Sequence, residues 1–361
     1  MKNILVYCNT YYQLLVAIQL QLTLKGEDKV SVLLTDASRG AEDVAARLKQ
    51  TGFFHNVFFL HTKVAAEQIN MAYKLRIFWG GVFGSTPQDM PCDYVCDELI
   101  GFNLDLSTQG VYAALYRRNP HIECHTMEEG LLSYEVPESS NGLMNTICKV
   151  RRFLGKKNLR ASVQKFYCFN PQAYGGTLTP VLIPRMDCQN AQLKSLLQQI
   201  FLGQKSLEAY MQKYIYLPCI YDIEGGEPIG ELALAKRLAD QVGKDNLIVN
   251  VHPRDDAEKY RAAGLAVDTN SSVPFEVLCI LQDLSQKILI TTLSGSVLNV
   301  SALLTQPPTC YYAHSLCRLE ANTMAQHFCG VVTRYLNPDS GLNMPNIQLL
   351  ENTAQLLEER N

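Results

Sequence analysis

The stretch Leu247-Ile248-Val249-Asn250-Val251-His252-Pro253-Arg254 decides how the rest of this 361-residue chain is interpreted. Its apolar, β-branched run predicts a buried strand. Pro253 ends the strand, because proline cannot donate to a ladder and keeps the preceding residue extended. His252 is therefore expected at the carboxyl end of a strand, where open α/β sheets place their ligands. An imidazole that can give up a proton, beside a guanidinium, suits an anionic ligand. A plain strand exit with a surface histidine is the alternative.

Strands and helices alternate on both sides of this stretch. Strands are predicted over residues 3–8, 29–35, 57–60, 94–96, 121–126, 162–170, 214–220, 287–291 and 310–312. Helices are predicted over residues 12–23, 41–49, 66–79, 107–118, 192–199, 206–212, 229–242, 273–282, 297–304 and 346–359. This alternation is typical of parallel, doubly wound sheets.

The length and the alternation together predict two Rossmann-like domains, residues 1–175 on the acceptor side and 176–361 on the donor side. A stretch rich in Gly and Pro over 171–184 is the expected linker. Two such domains facing each other place a cleft between the carboxyl ends of their sheets. That is the GT-B arrangement of sugar-nucleotide transferases.

Bulk composition narrows the class of protein. The formal net charge is −3 and 47% of the residues are hydrophobic, which is typical of a globular protein and does not favour a nucleic-acid binder. The 12 cysteines are scattered, and neither a signal peptide nor a long apolar run is visible, so we expect a cytoplasmic protein with reduced thiols. No metal site is expected, since the C-x3-C pair Cys92 and Cys96 has no second pair.

Two adjacent acidic residues, Glu128 and Glu129, precede Gly130 at the end of a predicted strand. Successive side chains of a strand point to opposite sides. One carboxylate could therefore act as a base while the other caps a helix or forms a salt bridge. Two surface glutamates before a turn are the alternative.

The turn Ser294-Gly295-Ser296 opens a predicted helix directly behind a strand. Hydroxyl groups, free backbone N–H groups and the positive end of the helix dipole meet there, which suits a phosphate. A simple serine N-cap is the alternative. Glu276 lies in the first turn of another predicted helix, where a carboxylate can accept hydrogen bonds from a ribose diol. The sequence contains neither the dinucleotide-binding nor the P-loop glycine motif.

A basic segment follows the acidic pair. Residues 139–186 contain no acidic residue, and seven Lys and Arg fall within residues 149–165. A solvated helical face explains such a run. A basic rim for an anionic acceptor, or for the inner membrane leaflet, is the functional alternative.

Taken together, these motifs resemble those of bacterial sialyltransferases, namely the lipooligosaccharide enzymes of glycosyltransferase family 52 and the capsule polysialyltransferases. The order Glu128-Glu129-Gly130, then His252-Pro253, then Ser294-Gly295 is the order of the motifs in those enzymes. The opening residues 6–14, with Cys8, Thr10 and Gln13, are similar to the family's first strand and turn.

This resemblance implies an inverting, metal-independent transfer of sialic acid from CMP-sialic acid to a galactoside of a surface glycan, without a cofactor. By the resemblance, His252 would protonate or shield the departing CMP phosphate. The expected donor-binding residues are Pro253 and Arg254 for the nucleotide, Glu276 for the ribose, and Ser294, Gly295 and Ser296 for the phosphate. Further candidates for the cleft are Thr10, Gln13, Glu129 and Gly130.

The capsule-type and the lipooligosaccharide enzymes differ in the general base, which must take a proton from the acceptor hydroxyl. In the capsule-type enzymes the base is the first acid of the acidic pair, here Glu128. In the lipooligosaccharide group it is an aspartate after the strand that opens the second domain, and Asp222 lies a few residues beyond that position. We expect Glu128 first and Asp222 second.

Three other functions fit the same residues. One is a CDP-activated polyol-phosphate transferase of wall polymer synthesis, another is a non-catalytic nucleotide-binding partner in capsule assembly, and a third is a UDP-sugar epimerase. For the favoured function, the expected partners are CMP-sialic acid and a galactose-terminated glycan. The basic segment 149–165 would make peripheral contact with the inner membrane. The sequence leaves a homodimer open.

Overall fold

The structure is a computed structural model that describes residues 1–102, 104–134, 142–270, 273–342 and 344–358. The chain divides into two compact units, one formed by 1–184 with 199–203 and the other by 185–198 with 204–361. Each unit is a parallel sheet with helices between its strands, so the predicted doubly wound α/β class is confirmed. Two successive units of this kind make up a GT-B fold.

Within the described residues, the first unit has seven parallel strands in the order β3-β2-β1-β4-β5-β6-β7. The strands are β1 Asn3–Cys8, β2 Lys29–Thr35, β3 Asn56–Leu60, β4 Glu98–Gly101, β5 Glu123–Met127, β6 Val163–Cys168 and β7 Thr179–Leu182. The helices are α1 Tyr11–Leu22, α2 Ala41–Thr51, α3 Met71–Phe83, α4 Leu106–Arg118, α5 Gly142–Phe153 and α6 Leu159–Ser162. The strand order reverses between β1 and β4, which makes their carboxyl ends the topological switch point.

The second unit has six described parallel strands in the order β10-β9-β8-β11-β12-β13. The strands are β8 Tyr214–Leu217, β9 Leu247–Val249, β10 Ala266–Val267, β11 Ile288–Thr291, β12 Thr309–Tyr312 and β13 Ile347–Leu349. The helices are α7 Ala191–Leu197, α8 Glu231–Val242, α9 Ala257–Ala262, α10 Phe275–Leu281, α11 Gly295–Leu303, α12 Thr323–Leu336 and α13 Gln355–Glu358. Here the order reverses between β8 and β11, so the loops after these strands flank the switch point.

The central strands are apolar because helices cover both faces of a parallel sheet. In β1 every residue after Asn3 is buried, and β8 and β11 are buried throughout. Tyr214 and Tyr216 of β8 pack in the core of the second unit with leucines of α8, including Leu234. Each such large apolar side chain contributes about 1.5–3 kcal/mol on burial.

Several predicted elements differ from the observed ones. The expected linker contains β7, which pairs with β6, so the first unit extends beyond residue 175. Pro180 is tolerated there because β7 lies at the edge of the sheet. The strand expected over 94–96 was placed too early, since β4 begins at Glu98.

Two predicted helices are wrong, and side-chain hydrogen bonds explain one of them. Residues 206–212 are irregular, because the backbone N–H groups of Glu208 and Tyr210 donate to the side chains of Asn270 and Gln282 at 3.1 and 2.9 Å. Such bonds compete with helix formation. The helix expected over 346–359 is instead β13 followed by the short α13, and Glu359 lies outside the described residues.

Among the described residues, every helix is too short or too polar to span a lipid bilayer.

Candidate active site

His252 follows β9 at the carboxyl edge of the second sheet. Its ring is half-buried, and Nδ1 accepts a hydrogen bond from the backbone N–H of Arg254 at 3.2 Å. Burial lowers the pKa of this imidazole, and the Arg254 guanidinium lowers the pKa further. Because Nδ1 is used as an acceptor, the neutral ring carries its proton on Nε2. The Nε2–H group of His252 can therefore donate a hydrogen bond to an anionic oxygen.

The neighbouring turn residues are more exposed. Pro253 and Arg254 both face solvent, and Arg254 Nη1 pairs with Glu224 at 2.8 Å. An exposed pair of this kind contributes little to stability. It does hold the guanidinium over the loop that follows β8, where Glu224 lies.

The Ser294 turn is the observed start of α11. Ser294 Oγ caps the helix by accepting from the N–H of Ser296 at 3.3 Å, and the Ser294 N–H donates to Thr291 Oγ1 at 3.1 Å. The N-cap alternative is therefore present in the structure. A Cβ built on Gly295 would meet no atom within 4 Å. The Cβ position of Gly295 is therefore open, and the free N–H groups at a helix N-terminus suit a phosphate.

Glu276 is brought to the same helix. It lies on α10, which packs against α11, and its Oε1 accepts a hydrogen bond from Asn299 Nδ2 of α11 at 3.3 Å. Burial raises the pKa of the Glu276 carboxyl, while the hydrogen bond from Asn299 opposes this rise. The carboxylate thus lies beside the helix that Ser294 opens, which no spacing in the sequence indicates.

Strand order places His252 and the Ser294 turn close together. β8 lies between β9 and β11, and all three strands are parallel, so their exits share one edge. Neighbouring strands are about 4.8 Å apart, which puts the exits of β9 and β11 roughly 10 Å apart. A nucleotide phosphate with its sugar spans that distance.

Asp222 has a structural task in the observed loop. Its two carboxylate oxygens accept from the backbone N–H groups of Gly230 and Glu231 at 2.8 and 3.0 Å. It therefore stabilises the N-terminus of α8, where a negative charge also interacts favourably with the helix dipole. Both oxygens are engaged, and this makes Asp222 a weaker candidate for the base than its sequence position predicts.

Asn322 holds the same loop from the start of α12. It is fully buried, and its Nδ2 donates to the backbone oxygens of Tyr221, Glu224 and Glu227 at 2.9–3.0 Å. A Cβ on Gly225, which has a φ of +87°, would lie 2.6 Å from Asn322 Oδ1. The glycine in this loop is thus required for the close approach of Asn322. The sequence contains no signal for this contact.

Glu231 is a buried carboxylate that sequence reasoning missed. It accepts hydrogen bonds from Tyr216 Oη, from Thr292 Oγ1 at 2.6 Å and from the N–H of Cys219 at 3.1 Å. Burial raises its pKa to about 7, although these hydrogen bonds favour the charged form. The network ties the exits of β8 and β11 to the start of α8. A glutamate at the first position of an amphipathic helix was the only available sequence signal.

In the first unit, Glu128 lies inside the protein rather than at its surface. The residue is 0% exposed, and its carboxylate accepts from Tyr12 Oη at 2.8 Å, from Tyr134 Oη and from the N–H of Phe169 at 2.9 Å. Such donors stabilise a buried carboxylate. Glu128 therefore links the end of β5 to α1 and to the exit of β6.

Glu129 is the carboxylate that faces the N-terminus of α1. It is half-buried, and the side chains of Thr10 and Gln13 donate hydrogen bonds to it. Burial raises the pKa of Glu129, and these two hydrogen bonds oppose the rise. Thr10 is also the N-cap of α1, and Gly130 makes the following turn with a φ of +83°. The structure thus brings Thr10, Gln13, Glu129 and Gly130 together at the N-terminus of α1.

The first unit also contains a cavity of about 480 Å³ next to α3 and the N-terminus of α4. Its walls carry the aromatic ring of Tyr73 and the polar groups of His61, Arg76, Asp89 and Ser107. Mixed aromatic and polar linings of this size are typical of small-molecule sites.

One group of described residues has ligand atoms close enough to hold a metal ion. It consists of Glu98, Glu123 and His125, whose ligand atoms lie within 4.8 Å of one another at the beginnings of β4 and β5. Lys25 donates to both oxygens of Glu98 at 2.8 and 2.9 Å, and Lys2 donates to Glu123 at 2.8 Å. These lysines already neutralise the carboxylates. The group also lies at the opposite edge of the sheet from Glu129.

Comparisons with known proteins found similarity of fold. No protein-family model matches the sequence, and a search of curated proteins found no match. An α/β-galactoside α-2,3-sialyltransferase from Photobacterium phosphoreum is 12% identical, with a TM-score of 0.49 over 97% of this chain and 98% of that one. Acinetobacter baumannii MurG is 11% identical, with a TM-score of 0.46 over 100% of this chain and 91% of that one. A UDP-N-acetylglucosamine 2-epimerase is 14% identical, with a TM-score of 0.47 over 100% of this chain and 95% of that one.

Proposed function

We propose that this protein is a glycosyltransferase that moves sialic acid from CMP-sialic acid to a galactoside of a surface glycan, with inversion and without a metal ion. The supporting observation is the carboxyl edge of the second sheet. There a neutral histidine, an open helix N-terminus and a half-buried carboxylate come from β9, α11 and α10. These groups suit the ribose and the phosphate of one nucleotide.

In the proposed reaction, the Nε2–H group of His252 donates a hydrogen bond to the CMP phosphate as the glycosidic C–O bond breaks. The backbone N–H groups at Gly295 and the dipole of α11 stabilise the charge that develops on the same phosphate. Glu276 binds the ribose hydroxyls. A neutral imidazole suits this task because it donates a hydrogen bond without requiring prior protonation of a ring whose pKa is lowered.

For the general base we propose Glu129 in place of Glu128. Glu129 is partly accessible, and hydrogen bonds from Thr10 and Gln13 orient its carboxylate. Its raised pKa also favours proton uptake from the acceptor hydroxyl. Glu128 is fully buried and holds tyrosine and backbone donors, so it positions the strand end on which Glu129 lies.

Three matched variants test this assignment. Glu129→Gln should lower kcat by about 10²–10⁴-fold, with CMP affinity and melting temperature unchanged. Glu128→Gln should mainly lower the melting temperature, because an amide replaces a buried acceptor of three donors. Asp222→Asn should destabilise the start of α8. Full activity of Glu129→Gln would contradict this assignment and favour Glu128 or Asp222 as the general base.

The activity itself is tested by incubating the purified protein with CMP-sialic acid and lactose in EDTA and measuring CMP release. His252→Ala should lower turnover at least about 100-fold while the fold is retained, since the ring is half-exposed. Absence of CMP release with any galactoside would refute the sialyltransferase proposal. Turnover of a CDP-activated polyol instead would identify a polyol-phosphate transferase. Binding of CMP without turnover would identify a nucleotide-binding partner.

A further inference from the structure

The helix α3 has an unusual distribution of apolar side chains. Only Gly81 and Val82 of its 13 residues are buried. The row Met71, Leu75, Trp79 and Phe83, spaced by four residues, is exposed at 71%, 50%, 51% and 43%. Residues four apart lie on one ridge of a helix, which here runs for roughly 18 Å. Soluble proteins rarely leave such a continuous apolar ridge in water.

The small residues of α3 explain how the helix is held without burying this ridge. A Cβ on Gly81 would lie 2.6 Å from Ile147 Cδ1 of α5, and a Cβ on Gly84 would lie 2.6 Å from Ala114 Cα of α4. The helix therefore packs against α5 at Gly81 and against α4 at its C-cap residue, Gly84. Its large apolar side chains are left on the outside by this arrangement.

We call the exposed row Met71, Leu75, Trp79 and Phe83 the α3 surface. The rings of Trp79 and Phe83 are stacked, with centroids 5.5 Å apart. Lys156 Nζ lies 5.0 Å from the centroid of Phe83, so a cation borders the surface. Just before Lys156, Phe153 is 90% exposed.

The two chain segments that contain α3 and α5 are basic. Residues 71–88 and 139–186 contain no acidic residue. Lys74 and Arg76 are exposed on α3, and Lys149 and Arg152 are exposed on α5. Arg151 does not belong to this set, because it is buried and donates to the backbone oxygens of Val82 and Lys157.

We propose that the α3 surface docks onto a bilayer containing anionic lipids. Apolar and aromatic side chains with a lysine and arginine border are typical of helices that lie in the membrane interface. The aromatic rings would enter the headgroup region, while the cations would contact lipid phosphates. A second copy of the chain fits less well, because a symmetric contact would bring two basic borders together. This inference is independent of the proposed transfer reaction.

The protein offers a direct probe of this contact, since Trp79 is its only tryptophan. Vesicles of phosphatidylcholine mixed with phosphatidylglycerol should shift the Trp79 emission to shorter wavelength, and brominated lipids should quench it. Vesicles of phosphatidylcholine alone should bind at least roughly tenfold more weakly, and raising the salt concentration should weaken binding to the mixed vesicles.

Variants separate the two parts of the surface. Leu75→Ser with Phe83→Ser should lower vesicle affinity by roughly tenfold or more and keep Trp79 as the reporter. Lys149→Gln and Arg152→Gln should each lower the affinity roughly fivefold. The controls are Met211→Ser, an 83% exposed apolar residue of the second unit, and Lys236→Gln, an exposed cation of α8. Neither control should change the affinity.

Three results would overturn the proposal. One is vesicle sedimentation of the protein without a change in Trp79 emission, which would place the contact elsewhere. Another is equal binding to neutral and anionic vesicles. The last is a blue shift that depends on protein concentration without lipid, which would identify a second copy as the occupant. None of these readouts requires enzyme activity, so their failure is distinct from a failure of the transfer reaction.

Discussion

Replacing Gly295 by alanine should change nucleotide affinity and stability in opposite directions. Gly295 is the first residue of α11, its φ lies outside the left-handed region, and an added Cβ would meet no protein atom within 4 Å. The methyl group therefore fits the free protein. If the CMP phosphate approaches the backbone N–H groups at this turn, the same methyl group occupies the space that the phosphate needs.

The magnitudes follow from the two environments. In the free protein, alanine is favoured over glycine in a helix by up to about 0.5–1 kcal/mol, so unfolding should become slightly harder. In the complex, loss of one hydrogen bond to a charged phosphate costs about 1.5–3 kcal/mol. That corresponds to roughly 10- to 150-fold weaker binding of CMP.

The assay combines isothermal titration with CMP and thermal unfolding without ligand. Gly330→Ala is the matched control, because Gly330 is an exposed residue inside α12 and its added Cβ would also meet no atom within 4 Å. The control should show the gain in stability without any loss of affinity. Unchanged CMP affinity in Gly295→Ala would refute the phosphate assignment and reduce the Ser294 turn to a helix cap.

Three further predictions concern the network that supports the site and the core of the first unit. Asn322→Ala should lower stability by about 2–4 kcal/mol in denaturant unfolding, because it removes the N-cap of α12 and the donor to the backbone oxygens of Tyr221, Glu224 and Glu227. Asn322→Asp should retain the cap, and equal stability of both variants would contradict this. The raised pKa of Glu231, about 7, means that the folded state binds the proton more tightly than the unfolded chain, so this group's contribution is present below an unfolded pKa of about 4.3 and is lost as the pH rises through 7. As the pH rises between these two values, the melting temperature of Glu231→Gln should therefore increase relative to that of the wild type. A difference in melting temperature that does not change with pH would disprove the linkage. Burial lowers the pKa of His125, so its contribution to folding stability is present above an unfolded pKa of about 6.5 and is lost as the pH falls. His125→Leu should therefore lose less melting temperature on acidification than the wild type does.

Much of the architecture follows from local pattern. The run 247–251 forms a strand because β-branched residues suit a sheet covered on both faces, and Pro253 marks its exit as expected. Thr10 and Ser294 are N-caps, and threonine and serine are residue types that favour this position. The helix predicted over 206–212 was wrong because the local pattern contains no information about distant hydrogen-bond partners. Asn270 and Gln282 take the backbone groups that a helix would have used.

The candidate site also combines features that the sequence predicts with features that depend on the fold. Placing His252 and Ser294 at strand exits needs only the order of strands and helices along the chain. Choosing between Glu128 and Glu129 needs the tertiary structure, since one of the donors to Glu128 is Tyr12, which is 116 residues away. Adjacent side chains of a strand point apart, but only the packing of α1 shows which one is enclosed.

Local sequence patterns predict two parallel α/β units with histidine, serine and glutamate motifs at strand and helix ends. Hydrophobic periodicity and turn residues act over a few positions, so they are readable without the fold. The burial of Glu128 and Glu231, and the capping of α8 by Asp222, are visible only in the folded protein. The same holds for the exposure of the apolar ridge of α3. Burial depends on which distant segments pack together, and that information is not contained in the spacing of any one segment.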